Sequence, residues 1–235
     1  MIECVLTLRK IQIFSLLVGI ILVVAAYVPG FSKYAEASKG DKNITNQLGG
    51  KNDTDFKEKN AIKICCAWSD KLADGVLSYN IIGRGNKEVR QAVRDAIHEW
   101  DTAIQGLEFT EISGKNTPAD IELKFTKGGG QVAGKTVTGF DNNRFIDNVK
   151  ITISKTAFGN TFNAQLVKQI TKHEMGHALG LAHANFQGNL MTEKINDGAS
   201  DISECEINAV QEADRWKLLD NQNNPRTPDH NYVIC

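Results

Sequence analysis

Residues 173–191 read HEMGHALGLAHANFQGNLM, and the spacing of their histidines predicts a helix that carries a metal site. On an α-helix, His173 and His177 lie one turn apart on the same face, so both imidazoles can reach one ion. Glu174 is then directed beside that ion, where a carboxylate can act as a base. The first half of the stretch therefore predicts two metal ligands and one catalytic base.

The second half of the stretch predicts a third ligand. Gly180 fits the left-handed position that ends a helix, so the chain can turn there and bring His183 back to the metal. Three histidine ligands leave zinc one open coordination position, which is typical of a catalytic site. We expect one catalytic Zn²⁺, bound by His173, His177 and His183, with Glu174 as general base. Three hydrogen-bonded core histidines are the alternative.

The pattern HEMGHALGLAH resembles the HExxHxxGxxH signature of the metzincins, a family of zinc peptidases. Met191 follows His183 at the distance at which that family has its Met-turn. The resemblance implies that Met191 supports the metal site as a hydrophobic base and is not a ligand. Without the resemblance, a single methionine is more often a core residue.

Other strings, taken in order over residues 68–219, are similar to the catalytic domain of the matrixins, the matrix metalloproteinase-like branch of the metzincins (peptidase family M10). They include LSYNI at 77–81, the segment 92–100 that ends in a tryptophan, LEFT at 107–110 and the segment 203–211. The resemblance implies a matrixin catalytic domain of a reduced microbial type.

Three departures from the matrixin pattern limit what the resemblance implies. Gly134 stands where vertebrate matrixins have a histidine of a second, structural zinc site, and the latency motif PRCGxPD is missing. Thr192 and Glu193 replace the proline and tyrosine of the S1′ wall, so substrate specificity cannot be transferred. Calcium is doubtful as well, because no acidic loop has the spacing of a calcium site.

The order of hydrophobic patterns predicts an α+β fold, an α/β sandwich of the metzincin type. We expect a twisted mixed sheet of four or five strands, the zinc helix, a Met-turn and a C-terminal helix. Strands are predicted at 75–82, 107–113, 119–126, 131–141 and 148–155, and helices at 87–104, from about Thr161 into the zinc site, and at 204–219. His98 is predicted to lie on the solvent face of the first helix.

The N-terminal part of the chain predicts export. Arg9 and Lys10 precede an apolar run at 11–28, which is typical of a signal sequence. Its length leaves a cleaved peptide and a membrane anchor equally open, and a buried core helix is the third reading. We divide the 235 residues into a signal peptide or signal anchor (1–30), a disordered polar linker (31–61), a catalytic domain (62–220) and a tail (221–235).

Four cysteines would lie on the outer, oxidising side: Cys65, Cys66, Cys205 and Cys235. Two disulfides are predicted, with their pairing left open and free buried thiols as the alternative. Cys65 or Cys66 could also cap the zinc ion as a thiolate. Cys4 precedes the apolar run and is expected to stay inside the cell.

Together these features predict an extracellular zinc endopeptidase, secreted or anchored, that acts as a monomer on protein or peptide substrates. The substrate is expected to lie as an extra strand along the sheet edge at 132–138, against Val132 and Ala133. A net charge of −1 and a pI near 6.5 exclude a basic nucleic-acid footprint. A non-catalytic cell-surface module and a zinc hydrolase of non-peptide amides are the alternatives, and Glu174 favours an enzyme over the first.

Overall fold

The computed structural model describes residues 2–8, 59–113, 118–127, 132–157, 160–195 and 201–235. Twelve strands are present in this part of the chain: β1 (Ile2–Leu8), β2 (Ala61–Ile64), β3 (Val76–Ile82), β4 (Glu108–Glu111), β5 (Ile121–Thr126), β6 (Val132–Phe140), β7 (Ile146–Ser154), β8 (Thr156–Ala157), β9 (Asn160–Thr161), β10 (Leu181–Ala184), β11 (Lys194–Ile195) and β12 (Tyr232–Ile234). The helices are α1 (Lys87–Ala103), α2 (Ala164–Ala178), α3 (Glu204–Ala213) and α4 (Arg215–Leu218).

The main sheet has the strand order β11-β1-β6-β7-β5-β3-β4. Five strands of this sheet, β3 to β7, are those predicted from the sequence. Strands β4, β3, β5 and β7 run parallel to one another, whereas β6 is antiparallel to its neighbour β7. In β5, Ile121, Leu123 and Phe125 are buried and alternate with more exposed polar residues, because successive strand residues point to opposite faces. The α+β fold with a mixed sheet is therefore as predicted.

Helix α1 connects β3 to β4 and packs against α2 on one face of the sheet. Its first turn is capped by Asn86, whose side chain accepts a hydrogen bond from the backbone N–H of Val89 at 2.8 Å. Trp100 is fully buried in the core. His98 lies on the exposed face as predicted, 3.8 Å from the Asp101 carboxylate.

Two helix boundaries differ from the prediction. The zinc helix α2 begins at Ala164 and not near Thr161, because Asn163 is its N-cap and its side chain accepts from Leu166 N at 2.8 Å. The C-terminal helix, predicted as one helix over 204–219, is divided into α3 and α4 at Asp214. At this residue the backbone departs from helical geometry (φ −110°, ψ 35°), and the side chain accepts a hydrogen bond from Trp68 N at 2.7 Å.

A small three-stranded sheet of order β10-β2-β12 packs against α3, and its strand β10 also contacts the zinc helix. Within residues 221–235, which were assigned to a C-terminal tail, strand β12 pairs with β2. Cys205 and Cys235 form a disulfide that ties α3 to this tail, and Cys65 and Cys66 are bonded to each other. The two predicted disulfides are present, and the bonded Cys65 and Cys66 offer no thiolate to a metal.

Strand β1 was not predicted. It runs antiparallel to β6, with Ile2 opposite Thr138 and Leu6 opposite Gly134, and parallel to β11. The apolar run at 11–28, the linker up to residue 58, and the glycine turn at 128–130 lie outside the described residues. Within the described ranges, none of the helices has the length and apolarity that a membrane crossing requires.

Candidate metal centre

The zinc helix α2 is held by two tryptophans that reach its backbone from different elements. The indole N–H of Trp100, on α1, donates to the carbonyl of Lys172 at 3.0 Å. The indole N–H of Trp68 donates to the carbonyl of Ala178 at the C-terminal end, also at 3.0 Å. Both rings are fully buried, so the helix segment between these carbonyls, which carries the predicted ligands His173 and His177, is fixed from two sides.

The structure brings the three predicted histidines together. The possible ligand atoms of His173, His177 and His183 all lie within 4.8 Å of one another. The ring centroids of His173 and His177 are 4.7 Å apart, and those of His177 and His183 are 4.9 Å apart. All three Nε2 atoms are buried and have no hydrogen-bond partner among the described residues. Three unpartnered imidazole nitrogens that converge on one point fit a zinc ion.

Backbone carbonyls orient two of these rings. Nδ1 of His173 lies 2.7 Å from the carbonyl oxygen of Leu190, and Nδ1 of His177 lies 2.9 Å from that of Leu181. A carbonyl oxygen can only accept, so both Nδ1 atoms carry the proton and both Nε2 atoms keep a free lone pair. This is the tautomer that a metal requires.

Burial keeps the histidines neutral. It lowers the pKa of His173 to about 3 and the pKa of His177 well below its usual value, and the neighbouring histidines act in the same direction. The pKa of His183 is lowered too, mainly by burial. At neutral pH the three rings are therefore uncharged and available as ligands.

Gly180 makes the turn that brings His183 to the other two ligands. It has a φ of +86°, and a Cβ on this residue would collide with the carbonyl oxygen of Cys66 and lie 3.2 Å from its carbon. The Gly180 carbonyl also accepts from Cys65 N at 2.8 Å. Left-handed backbone and close approach together require glycine, and the Cys65–Cys66 pair lies directly against the turn.

Met191 is fully buried. Its side chain packs on Gly176, where an added Cβ would collide with the Met191 sulfur and lie 3.0 Å from its Cε. The turn that carries Met191 is closed by Asn189, whose side chain accepts from Met191 N at 2.8 Å. The position predicted to support the site is thus packed against the middle of the ligand-bearing helix.

Glu174 is fully buried between α2 and β6. The Thr136 hydroxyl donates to its Oε2 at 2.5 Å, whereas Oε1 has no partner among the described residues. A Cβ built on Gly134 would collide with Oε1 and lie 2.7 Å from Cδ. Burial raises the pKa of Glu174 to about 8, and the hydrogen bond from Thr136 acts in the opposite direction.

The predicted substrate edge is the strand that lies over Glu174. Val132 and Ala133 begin β6, and Ala133 is buried. Val132 pairs with Thr7 of β1, and a register shift separates this pair from the next one, Leu6 with Gly134. In this structure β1 therefore occupies the edge along which a substrate strand was expected.

Three residues near the site were not assigned a role from the sequence. Gly176 admits Met191, Thr136 holds Glu174, and Glu206 accepts a hydrogen bond from Leu190 N at 3.2 Å. Glu206 also accepts a hydrogen bond from Ser203 N at 2.9 Å, in a capping box at the start of α3. A glycine inside the HExxH helix is a signal that could have been used, since glycine in a helix interior usually has a packing reason.

Comparison with known proteins identifies the family. The family model of the matrixins, the M10 peptidases, matches residues 67–213, a range that contains the three histidines, Glu174 and Met191. None of the curated proteins matches the chain. Matrixins are zinc metallopeptidases, in agreement with the histidine cluster. The match covers more than half of the chain, and this protein belongs to the matrixin family.

Proposed function

We propose that this protein is a zinc-dependent endopeptidase that hydrolyses peptide bonds of protein substrates outside the cell. The observation that carries the proposal is the convergence of three unpartnered imidazole nitrogens beside a buried carboxylate on the same helix. A site that only holds metal needs the three histidines but has no use for a neighbouring base. His173, His177 and His183 would hold the ion.

When bound, zinc supplies a Lewis acid that lowers the pKa of water and polarises the scissile carbonyl. Glu174 accepts the proton of the attacking water on Oε1, the oxygen that has no partner among the described residues. As the new C–O bond forms and the C–N bond breaks, the same carboxyl group delivers this proton to the leaving amine. Water adds across the peptide bond, and Glu174 ends the cycle ionised.

The substrate is expected to bind in an extended conformation along β6. Antiparallel pairing of β1 with β6 supports this, because it indicates that the backbone groups of β6 can accept a further strand. A substrate in the same position would have to replace β1. Parallel pairing of β1 with β11 suggests that the segment after Met191 forms the opposite wall of the cleft.

An extracellular location is supported by two features. The apolar run after Arg9 and Lys10 is typical of an export signal. The Cys65–Cys66 and Cys205–Cys235 pairs form disulfides, which persist in oxidising compartments. We propose a monomer, either secreted or anchored.

The test is hydrolysis of casein by the full chain, before and after removal of metal with a chelator. Cleavage should stop when the metal is removed and return when one equivalent of zinc is added. An unrelated protease contaminant is controlled for by a His177→Ala variant purified in the same way. Cleavage that survives chelation, or that is equal in the His177→Ala preparation, would contradict the proposal.

A further inference from the structure

The catalytic glutamate is held by strand β6 and not by its own helix. Gly134 and Thr136 are two residues apart on β6, so both positions face the same side of the strand, and both face Glu174. At Gly134 the strand has no side chain, and the carboxylate fills the volume that a Cβ would take. At Thr136 the strand offers a hydroxyl, which is buried with 1% exposure.

The hydroxyl contact fixes which oxygen of the carboxylate is free. Thr136 Oγ1 lies 2.5 Å from Oε2 of Glu174 and 3.2 Å from the backbone carbonyl oxygen of the same residue. A hydrogen bond from a neutral donor to a carboxylate is short and about twice as strong as one between neutral groups. Because Oε2 is engaged, Oε1 is the carboxylate oxygen without a hydrogen-bond partner among the described residues, and it fills the space beside Gly134 that a Cβ would take.

We infer that Thr136 is a positioning residue for the general base: its hydroxyl holds Oε2 of Glu174 so that Oε1 accepts the proton of the water. The inference rests on the proposed peptidase function and goes beyond it, since Thr136 acts only through Glu174. It also explains why residue 134 is glycine in this chain. A side chain larger than glycine at this position would collide with the Glu174 carboxylate.

The first test compares Thr136→Val, Thr136→Ser and Thr171→Val in the full chain with a casein peptide as substrate. Valine keeps the shape of threonine but removes the hydroxyl, so kcat should fall roughly ten- to a hundredfold. KM and the Kd for zinc should change by less than about threefold, because no ligand is touched. Serine should restore kcat to within about fivefold of the wild type.

Thr171→Val is the matched control, since Thr171 is also buried but its hydroxyl donates to the backbone carbonyl of Val167 at 2.8 Å and not to Glu174. It should leave kcat unchanged. A wild-type kcat in Thr136→Val, an equal loss in Thr136→Ser, or an equal loss in Thr171→Val would overturn the inference.

The second test is independent of activity and separates this inference from the proposed function. Tm is measured in zinc-free samples of the wild type, Thr136→Val, Glu174→Ala and the double variant. If the hydroxyl holds the carboxylate, Thr136→Val should lower Tm less in the Glu174→Ala background than in the wild type. Additive changes would overturn the inference even if casein is cleaved, whereas coupling in a protein without peptidase activity would contradict only the proposed function.

Discussion

The two sides of the metal centre are built differently. On the ligand side, the rings of His173 and His177 are oriented by the backbone carbonyls of Leu190 and Leu181. On the base side, Glu174 is oriented by a side-chain hydroxyl and by the lack of a side chain at Gly134. Backbone carbonyls are present whatever the sequence, so ligand geometry should tolerate substitutions that the base does not. Changes on the base side should alter kcat, and changes on the ligand side should alter zinc affinity.

The largest effect is expected from Gly134→Ala. The added methyl group would displace the Glu174 carboxylate, so kcat should fall about 10²- to 10⁴-fold, the range that general acid–base catalysis contributes. Zinc affinity should be nearly unchanged because the histidines are not contacted. Kinetics on a casein peptide and zinc titration of the same sample check this, and a variant that loses zinc in proportion to kcat would remove the distinction between the two sides.

On the ligand side, Glu206→Ala should weaken zinc binding. Glu206 is fully buried and accepts from Leu190 N at 3.2 Å and from Ser203 N at 2.9 Å, so it fixes the segment whose carbonyl holds His173. Loss of such outer contacts typically costs 10- to 100-fold in metal affinity, and about this much is expected. At saturating zinc, kcat should stay within about fivefold of the wild type. Competition with a chromogenic chelator measures the Kd for zinc. An unchanged Kd would show that the backbone around Leu190 keeps its conformation without Glu206.

A smaller effect, on stability alone, is expected from Cys235→Ser. The Cys205–Cys235 disulfide joins α3 to the C-terminal strand, with a sequence separation of 30 residues. Its loss should lower Tm by about 10 °C through the larger entropy of the unfolded chain. Neither zinc affinity nor kcat at 25 °C should change, as calorimetry, zinc titration and kinetics would show. A large fall in zinc affinity would mean that the ligand side depends on the tail.

The smallest effect is expected from Asp214→Asn. Asp214 is buried, and burial raises its pKa to about 7, with the hydrogen bond from Trp68 N acting against this. A carboxyl group with a raised folded-state pKa stabilises the protein below the pKa of the unfolded chain, and this contribution is lost as pH rises towards 7. The wild type should therefore lose stability between about pH 4 and pH 7.

In Asp214→Asn this part of the pH dependence should disappear, because asparagine does not ionise but still accepts from Trp68 N. The variant should be more stable than the wild type at pH 8, by on the order of 2 kcal/mol. Urea unfolding at pH 5 and pH 8 checks the result. Equal pH dependence in both proteins would show that Asp214 does not titrate in this range, and kcat should be unaffected in either case.

The ligand side could be predicted from the sequence because its pattern is local. His173, His177 and Gly180 lie on one helix and its end, where fixed geometry converts spacing into position. Strands β5 and β7 could also be predicted, because apolar and polar residues alternate along their sequences. The supporting role of Met191 was implied by the resemblance to the metzincins. The structure adds the contact through which Met191 can act, which is its packing on Gly176.

The base side could not be predicted in the same way because it depends on long-range contact. Thr136 is 38 residues from Glu174. The sequence around either residue does not predict how β6 packs against the helix. Strand β1 was missed for the same reason, since its partners β6 and β11 are far along the chain. Helix α2 begins later than predicted because Asn163, which follows the apolar Phe162, is its N-cap.

The most direct test of the central claim is to measure zinc content and casein hydrolysis on one preparation of the full-length Glu174→Ala variant, beside the wild type. If the ligands and the base are held separately, both proteins should contain one zinc per chain, with equal Kd. Hydrolysis should fall at least about 10²-fold in the variant. Wild-type hydrolysis by Glu174→Ala, or loss of its zinc, would contradict the account.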